Sequence, residues 1–153
     1  MSLHISSSKL ERGGTLVEHQ GSLSTLFVYG NEANLMVATR TEGYHSKPHI
    51  HDCEQLNYLV DGELWIFMEE HAFHLKPGDF LRTPRNAVHW AWNRGPGPCT
   101  LVEVHCPVMD PTTRHGSYGL FAEGEPRTVN AVGPAQTVDF DSSVAEAKVS
   151  STP

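Results

Sequence analysis

GYHSKPHIHDCEQLNYLVDG, residues 43–62, places His49 and His51 two positions apart on a stretch with no helical period. On an extended chain that spacing points both imidazoles to one face. Two imidazoles on one face can chelate a metal, and further ligands must then come from other strands. GDFLRTPRNAVHWAWN, residues 78–93, supplies a third histidine, His89, on a strand bounded by Pro84 and by the turn that starts at Asn93. Gln55 opens the strand that runs into Asp61-Gly62, a tight-hairpin signal, and its neutral amide oxygen can complete the set.

Outward from these stretches the chain reads as short strands. Leu23 to Tyr29, Leu35 to Thr41, Gln55 to Val60, Leu64 to Met68, Ala72 to Leu75, Phe80 to Thr83, Val88 to Trp92 and Thr100 to His105 are apolar or alternating. They are separated by turn residues such as Gly30-Asn31, Lys76-Pro77-Gly78-Asp79 and Asn93-Arg94-Gly95-Pro96-Gly97-Pro98. About eight strands with frequent turns and no convincing helical period predict a β-sandwich or barrel. No internal repeat is visible, so one barrel is expected.

The spacings Gly43-x5-His49-x-His51-x3-Gln55-x6-Gly62 and Gly78-x5-Pro84-x-Asn86-x2-His89-x3-Asn93 resemble the two motifs of the cupin superfamily. Those motifs read G-x5-H-x-H-x3,4-E-x6-G and G-x5-P-x-G-x2-H-x3-N. The resemblance covers residues 43–93 without a gap. It implies an all-β, single jelly-roll (double-stranded β-helix) barrel with a metal inside, held by His49, His51 and His89. Two positions depart from the pattern. Asn86 stands where the family has Gly, and both residues tolerate the left-handed turn conformation. Gln55 stands where the family has Glu. Glu54 is a charged rival for the fourth ligand, one residue out of register and so on the opposite face of a strand.

Gln in place of Glu leaves a bound divalent ion with more of its charge, and so a stronger Lewis acid. Gln cannot act as a general base. Candidates for that role are His45, His105 and Glu103, or a metal-bound hydroxide. Asn57 follows Gln55 by two positions and faces the same interior. Glu103 and His105 alternate with Val102 and Val104, and the default reading sends the pair to solvent. Trp90 and Trp92 alternate with His89 and so face away from the metal. Cys53 and Cys99 read as bystander thiols, and Cys106 as packed.

The metal expected is one divalent transition ion: Fe, Ni, Mn, Cu or Zn. The substrate expected is a small oxygen-rich metabolite, a carboxylate, enol or sugar-like molecule. The chemistry is Lewis-acid isomerisation, cyclisation or lyase action, or dioxygenation. The alternative is a non-catalytic barrel that binds or senses a small ligand. A storage role does not fit intact metal motifs on one short barrel.

The 153 residues suit one domain, divided as a polar N-terminal arm (1–22), a barrel (23–108), a C-terminal extension packed on it (109–140) and a flexible tail (141–153). The formal net charge of −7 argues against nucleic-acid binding. An odd cysteine count of 3 is no disulfide framework and suits a reducing cytosol. The N-terminus lacks a signal-peptide run and no stretch is long and apolar enough to span a membrane, so a cytoplasmic protein is expected. Small cupins often pair through their N-terminal strands, which implies a homodimer.

Overall fold

In the computed structural model, which describes residues 2–16, 21–127 and 129–150, the alternating segments become strands of two facing antiparallel sheets. In chain order the first strands are β1 (Gly13–Leu16), β2 (Ser22–Tyr29), β3 (Asn34–Arg40), β4 (His49–Ile50), β5 (Glu54–Asp61), β6 (Leu64–Met68) and β7 (His71–Leu75). They are followed by β8 (Phe80–Thr83), β9 (His89–Trp92), β10 (Cys99–Cys106), β11 (Val108–Met109), β12 (Ser117–Gly119), β13 (Ala131–Val132) and β14 (Gln136–Thr137). One helix, α1 (Ser143–Ser150), ends the described chain. The larger sheet runs β1-β2-β3-β10-β5-β8, with β12 added beside β2, and the smaller runs β14-β4-β9-β6-β7. Turn spacing predicted a β-sandwich or barrel, and the arrangement found is the jelly-roll barrel that the cupin resemblance implied.

Alternation sets the two faces of each strand. Along β10, Cys99, Leu101, Glu103 and His105 are buried, while the residues between them are not. Leu59, Leu64, Ile66, Leu75, Ala91, Cys99 and Leu101 fill one end of the barrel. Phe27, Met36 and Ala38 fill a second cluster between the sheets. The opposite end is left to polar side chains, and the site lies there. Gly62, at φ +77°, closes the β5–β6 hairpin and packs so tightly that a Cβ would sit 2.4 Å from the Pro98 carbonyl oxygen. Only glycine meets both demands at low cost.

Three segments differ from the sequence expectation. Residues 13–16 of the N-terminal arm pair as β1 with β2 along the sheet edge. Residues 17–20 of that arm lie outside the described residues. The tail begins as the helix α1, whose Ala145 and Val149 are buried against Phe67 and Trp90 on the outer face of the smaller sheet. Sheet packing, not helical propensity, orders it, and this is why a polar, small-residue segment read as flexible. The rest of the tail, residues 151–153, lies outside the described residues. Cys106, expected to be packed, is exposed because it falls on the outward phase of β10.

Candidate metal centre

Strand register assembles the site. His49 on β4 is the direct cross-strand partner of His89 on β9. Such partners bring Cβ atoms within about 4.5–5.5 Å. His51 follows two residues later and joins the same face. Asn86, at φ +61°, turns the loop beneath it and donates its backbone N–H to the His51 carbonyl at 3.0 Å. The three imidazoles meet with ligating nitrogens all within 4.8 Å of one another.

Their protons are fixed from behind. His49 Nδ1 donates to the Lys47 carbonyl at 2.8 Å, and His89 Nδ1 donates to the Ala87 carbonyl at 2.9 Å. His51 Nδ1 has two neighbours, the Cys53 carbonyl at 3.3 Å and the Cys53 Sγ at 3.2 Å. Donation to the carbonyl, the stronger acceptor, leaves its Nε2 a bare lone pair like those of the other two rings. The Nε2 atoms of His51 and His89 face each other at 3.1 Å. Two lone pairs at that distance repel unless a cation lies between their directions. A proton there would either make one ring a buried imidazolium, which desolvation opposes, or, in a neutral ring, come at the expense of its Nδ1–carbonyl bond. Two nitrogens bound at right angles to one metal at about 2.1 Å stand about 3.0 Å apart, so the spacing fits a shared ion.

Burial lowers the proton affinity of all three rings, and at His49 and His89 the charge a neighbouring ring would carry lowers it further. His89 is pushed down to about 3, by burial first and then by the charge His49 would carry. The cluster is neutral at pH 7, the form that ligates metals.

Behind the triad is a closed hydrogen-bond network. Asn34 Oδ1 accepts from the Met109 backbone N–H at 2.9 Å, so its Nδ2 donates to His105 Nδ1 at 2.8 Å. His105 must then carry its proton on Nε2, where it donates to Gln55 Oε1 at 3.2 Å. The Gln55 Nε2 donates to Asn57 Oδ1 at 2.6 Å and to Glu103 Oε2 at 3.1 Å. Asn57 Nδ2 in turn donates to the Leu81 carbonyl. The other Glu103 oxygen accepts from Arg40 Nη2 at 2.6 Å. Burial alone would raise the Glu103 carboxyl, but Arg40 and then His105 hold it below its usual range. His105 is driven down to about 4, by burial against the pull of Glu103.

Glu103 and His105, read by default as solvent-facing, are 3% and 1% exposed. The barrel interior is polar at this end, and the network satisfies both. Gln55 is buried within it. Glu54, on the other face of β5, pairs with Arg82 at 2.6 Å outside the barrel. Of the base candidates, His45 lies apart from the cavity wall. It stacks on Trp92 at 4.5 Å and donates to Glu146 of α1 at 2.9 Å. Trp90 packs on Phe67 at 5.1 Å, and its indole donates to the same Glu146 oxygen. Cys53 is buried and its thiol is raised to about 11, chiefly by burial, so it stays protonated.

The triad, Gln55, Glu103 and His105 line a cavity of about 110 Å³, together with Arg40, Thr83 and Arg114. Arg40 and Asn34 escaped the reading of the sequence. The signal was present: residues 34, 36, 38 and 40 share one phase, and Met36 and Ala38 are core residues. A polar residue in phase with core residues lies inside the barrel.

A family model described as "Cupin domain" matches residues 36–105. Among solved structures, the chain resembles the polyketide cyclase RemF from Streptomyces resistomycificus at 13% identity, covering 97% of this chain and 94% of that one, with a TM-score of 0.60. It also resembles a sugar phosphate isomerase of the cupin superfamily from Silicibacter pomeroyi, at 18% identity, 71% and 76% coverage and a TM-score of 0.58. An RmlC-like cupin from Shewanella frigidimarina matches at 18% identity, 67% and 88% coverage and a TM-score of 0.57. At these identities the likeness is one of fold. No curated protein matches the sequence.

Proposed function

Because the chain belongs to the cupin superfamily, we propose that it is a metal-dependent enzyme of Lewis-acid type, an isomerase, cyclase or lyase acting on a small oxygen-rich metabolite. The observation that carries this reading is the convergence of three Nε2 lone pairs whose Nδ1 protons are tied to backbone carbonyls. His49, His51 and His89 would hold one divalent ion among Fe, Ni, Mn, Cu and Zn. Gln55 would be the fourth ligand, because its Oε1 keeps a second lone pair beside the one that His105 engages. A bound ion supplies Lewis acidity, polarising an oxygen of the substrate.

The chain's own residues do the rest. Glu103 and Asn57 hold the Gln55 amide so that its oxygen, not its nitrogen, faces the histidines. His105 keeps its proton on Nε2 and cannot take another without losing the Asn34 bond. Glu103 has both oxygens engaged. Neither is a ready base, which favours polarisation by the ion over base-driven chemistry. It also keeps a second reading in play, a barrel that binds its ligand without turnover.

Elemental analysis of tag-free protein tests the metal. About one equivalent of a transition metal is expected in the wild type, with at least a tenfold loss in His51→Ala. Wild type that takes up none of the five ions would overturn the reading. Turnover of candidate metabolites by the loaded protein then separates enzyme from binder.

A homodimer is the partner we propose. Leu35, Leu56, Tyr58, Val60 and Phe80 lie exposed on the outer face of the larger sheet, Phe80 at 79%. Contiguous apolar patches of this kind mark interfaces. Light scattering on an eluting peak would return twice the 16.9 kDa chain mass, and a monomer would refute it. Three unpaired thiols suit a reducing compartment such as the cytosol. Labelling of all three in protein extracted without reductant and then denatured is the check.

A further inference from the structure

We infer that Arg40 anchors an anionic oxygen of the ligand, a carboxylate held beside the oxygens that face the histidine cluster. The inference takes its location from the metal-site reading above but stands on separate atoms. Arg40 ends β3 in the inward phase and is 7% exposed. Its Nη2 donates to Glu103. Its Nε and Nη1 are buried, and among the described residues no acceptor reaches either. Buried guanidinium N–H groups are as a rule hydrogen-bonded, so these two donors ask for an acceptor from the cavity.

The unsatisfied side belongs to the cavity. Arg40 lines the same space as His49, His51 and His89. Tyr44, also in the wall, lies under the guanidinium at 5.6 Å. Glu103 cannot quench the remaining donors, because its second oxygen is engaged by Gln55. Thr83 Oγ1, buried and without a partner among the described residues, offers one more polar contact in the same wall. The ionised side chains around the cavity are Arg40 and Arg114 against Glu103, an excess of one positive charge. That balance suits a monoanionic carboxylate better than a phosphate dianion, and about 110 Å³ admits only a small acid.

The test is calorimetric titration of metal-free protein with millimolar glycolate, a small monoanionic acid, with inorganic phosphate as a second arm. Glu103→Gln removes the opposing carboxylate and should bind glycolate as tightly as wild type or more so. Arg40→Met combined with Glu103→Gln removes both charges at similar volume and should bind at least fivefold more weakly than Glu103→Gln alone. Phosphate should bind wild type more weakly than glycolate. Near-UV circular dichroism checks that the barrel is intact. If the double variant fails to fold, Arg40→Lys, which keeps the charge and loses the extra donors, should show the same fivefold loss. A smaller loss in the folded variant, no glycolate binding by wild type, or a preference for phosphate would overturn the assignment. Failure of the metal centre would be seen instead as wild type that loads no metal, with the metal-free titrations unaffected.

Discussion

Asn86 shows how much one position can carry. It sits at φ +61°, a region that most side chains enter only with strain, and its backbone N–H holds the loop under His51. Asn86→Gly should change stability by less than about 0.5 kcal/mol, whereas Asn86→Val should cost roughly 1–3 kcal/mol. Urea denaturation of the three proteins measures both, and equal midpoints would refute the argument. The same residue-level logic separates Gln55 from Glu54. They are adjacent, yet strand alternation sends one into the barrel and the other out to Arg82. That outcome was legible from period-two geometry alone. The unpartnered donors of Arg40 were not, because they follow from which atoms stand around the guanidinium.

At the scale of elements, α1 is the part that local sequence described least well. Its eight residues span about two turns, and among those whose side chains are described only Ala145 and Val149 are buried. Two apolar residues do not make a detectable period. What holds the helix is tertiary: the Glu146 carboxylate accepts from both His45 and Trp90, and Arg94 donates to the Val149 carbonyl. Glu146→Ala leaves the buried Trp90 indole N–H without its acceptor and should cost roughly 1–3 kcal/mol in thermal or urea unfolding. Glu146→Gln, which keeps one carbonyl acceptor, should cost less. Equal stability of both variants and wild type would mean that the helix adheres by apolar contact alone. The strands behave differently. Their hairpin and turn residues announce them, and eight of the strands fall where alternation and turn chemistry put them.

For the whole molecule, the polar end of the barrel predicts how metal-free protein responds to acid. His49, His51, His89 and His105 all have lowered proton affinity in the fold, with His89 near 3 and His105 near 4 against an ordinary 6.5. The unfolded chain therefore binds protons that the folded chain refuses as pH falls below about 6.5. The stability these rings contribute is complete above that pH, declines below it, and is gone at His105 below about 4 and at His89 below about 3. Glu103 acts in the same direction, because its carboxyl is held below its usual range. Urea midpoints of metal-free protein should be level from pH 8 to 7 and fall steadily from pH 6.5 to 4. A flat profile across that range would mean that the rings protonate freely in the fold.

The amino-acid sequence by itself determined the fold class, the order of the main strands and the histidine cluster. Each rests on short-range rules: alternation along a strand, turn residues between strands, and two motifs whose spacings match a known barrel. Tertiary structure alone decided the tautomers of the histidines, the engagement of Glu103, the donors left open on Arg40 and the docking of α1. Those depend on which groups from distant strands share one buried space, and no local pattern encodes which partner a buried polar atom will meet.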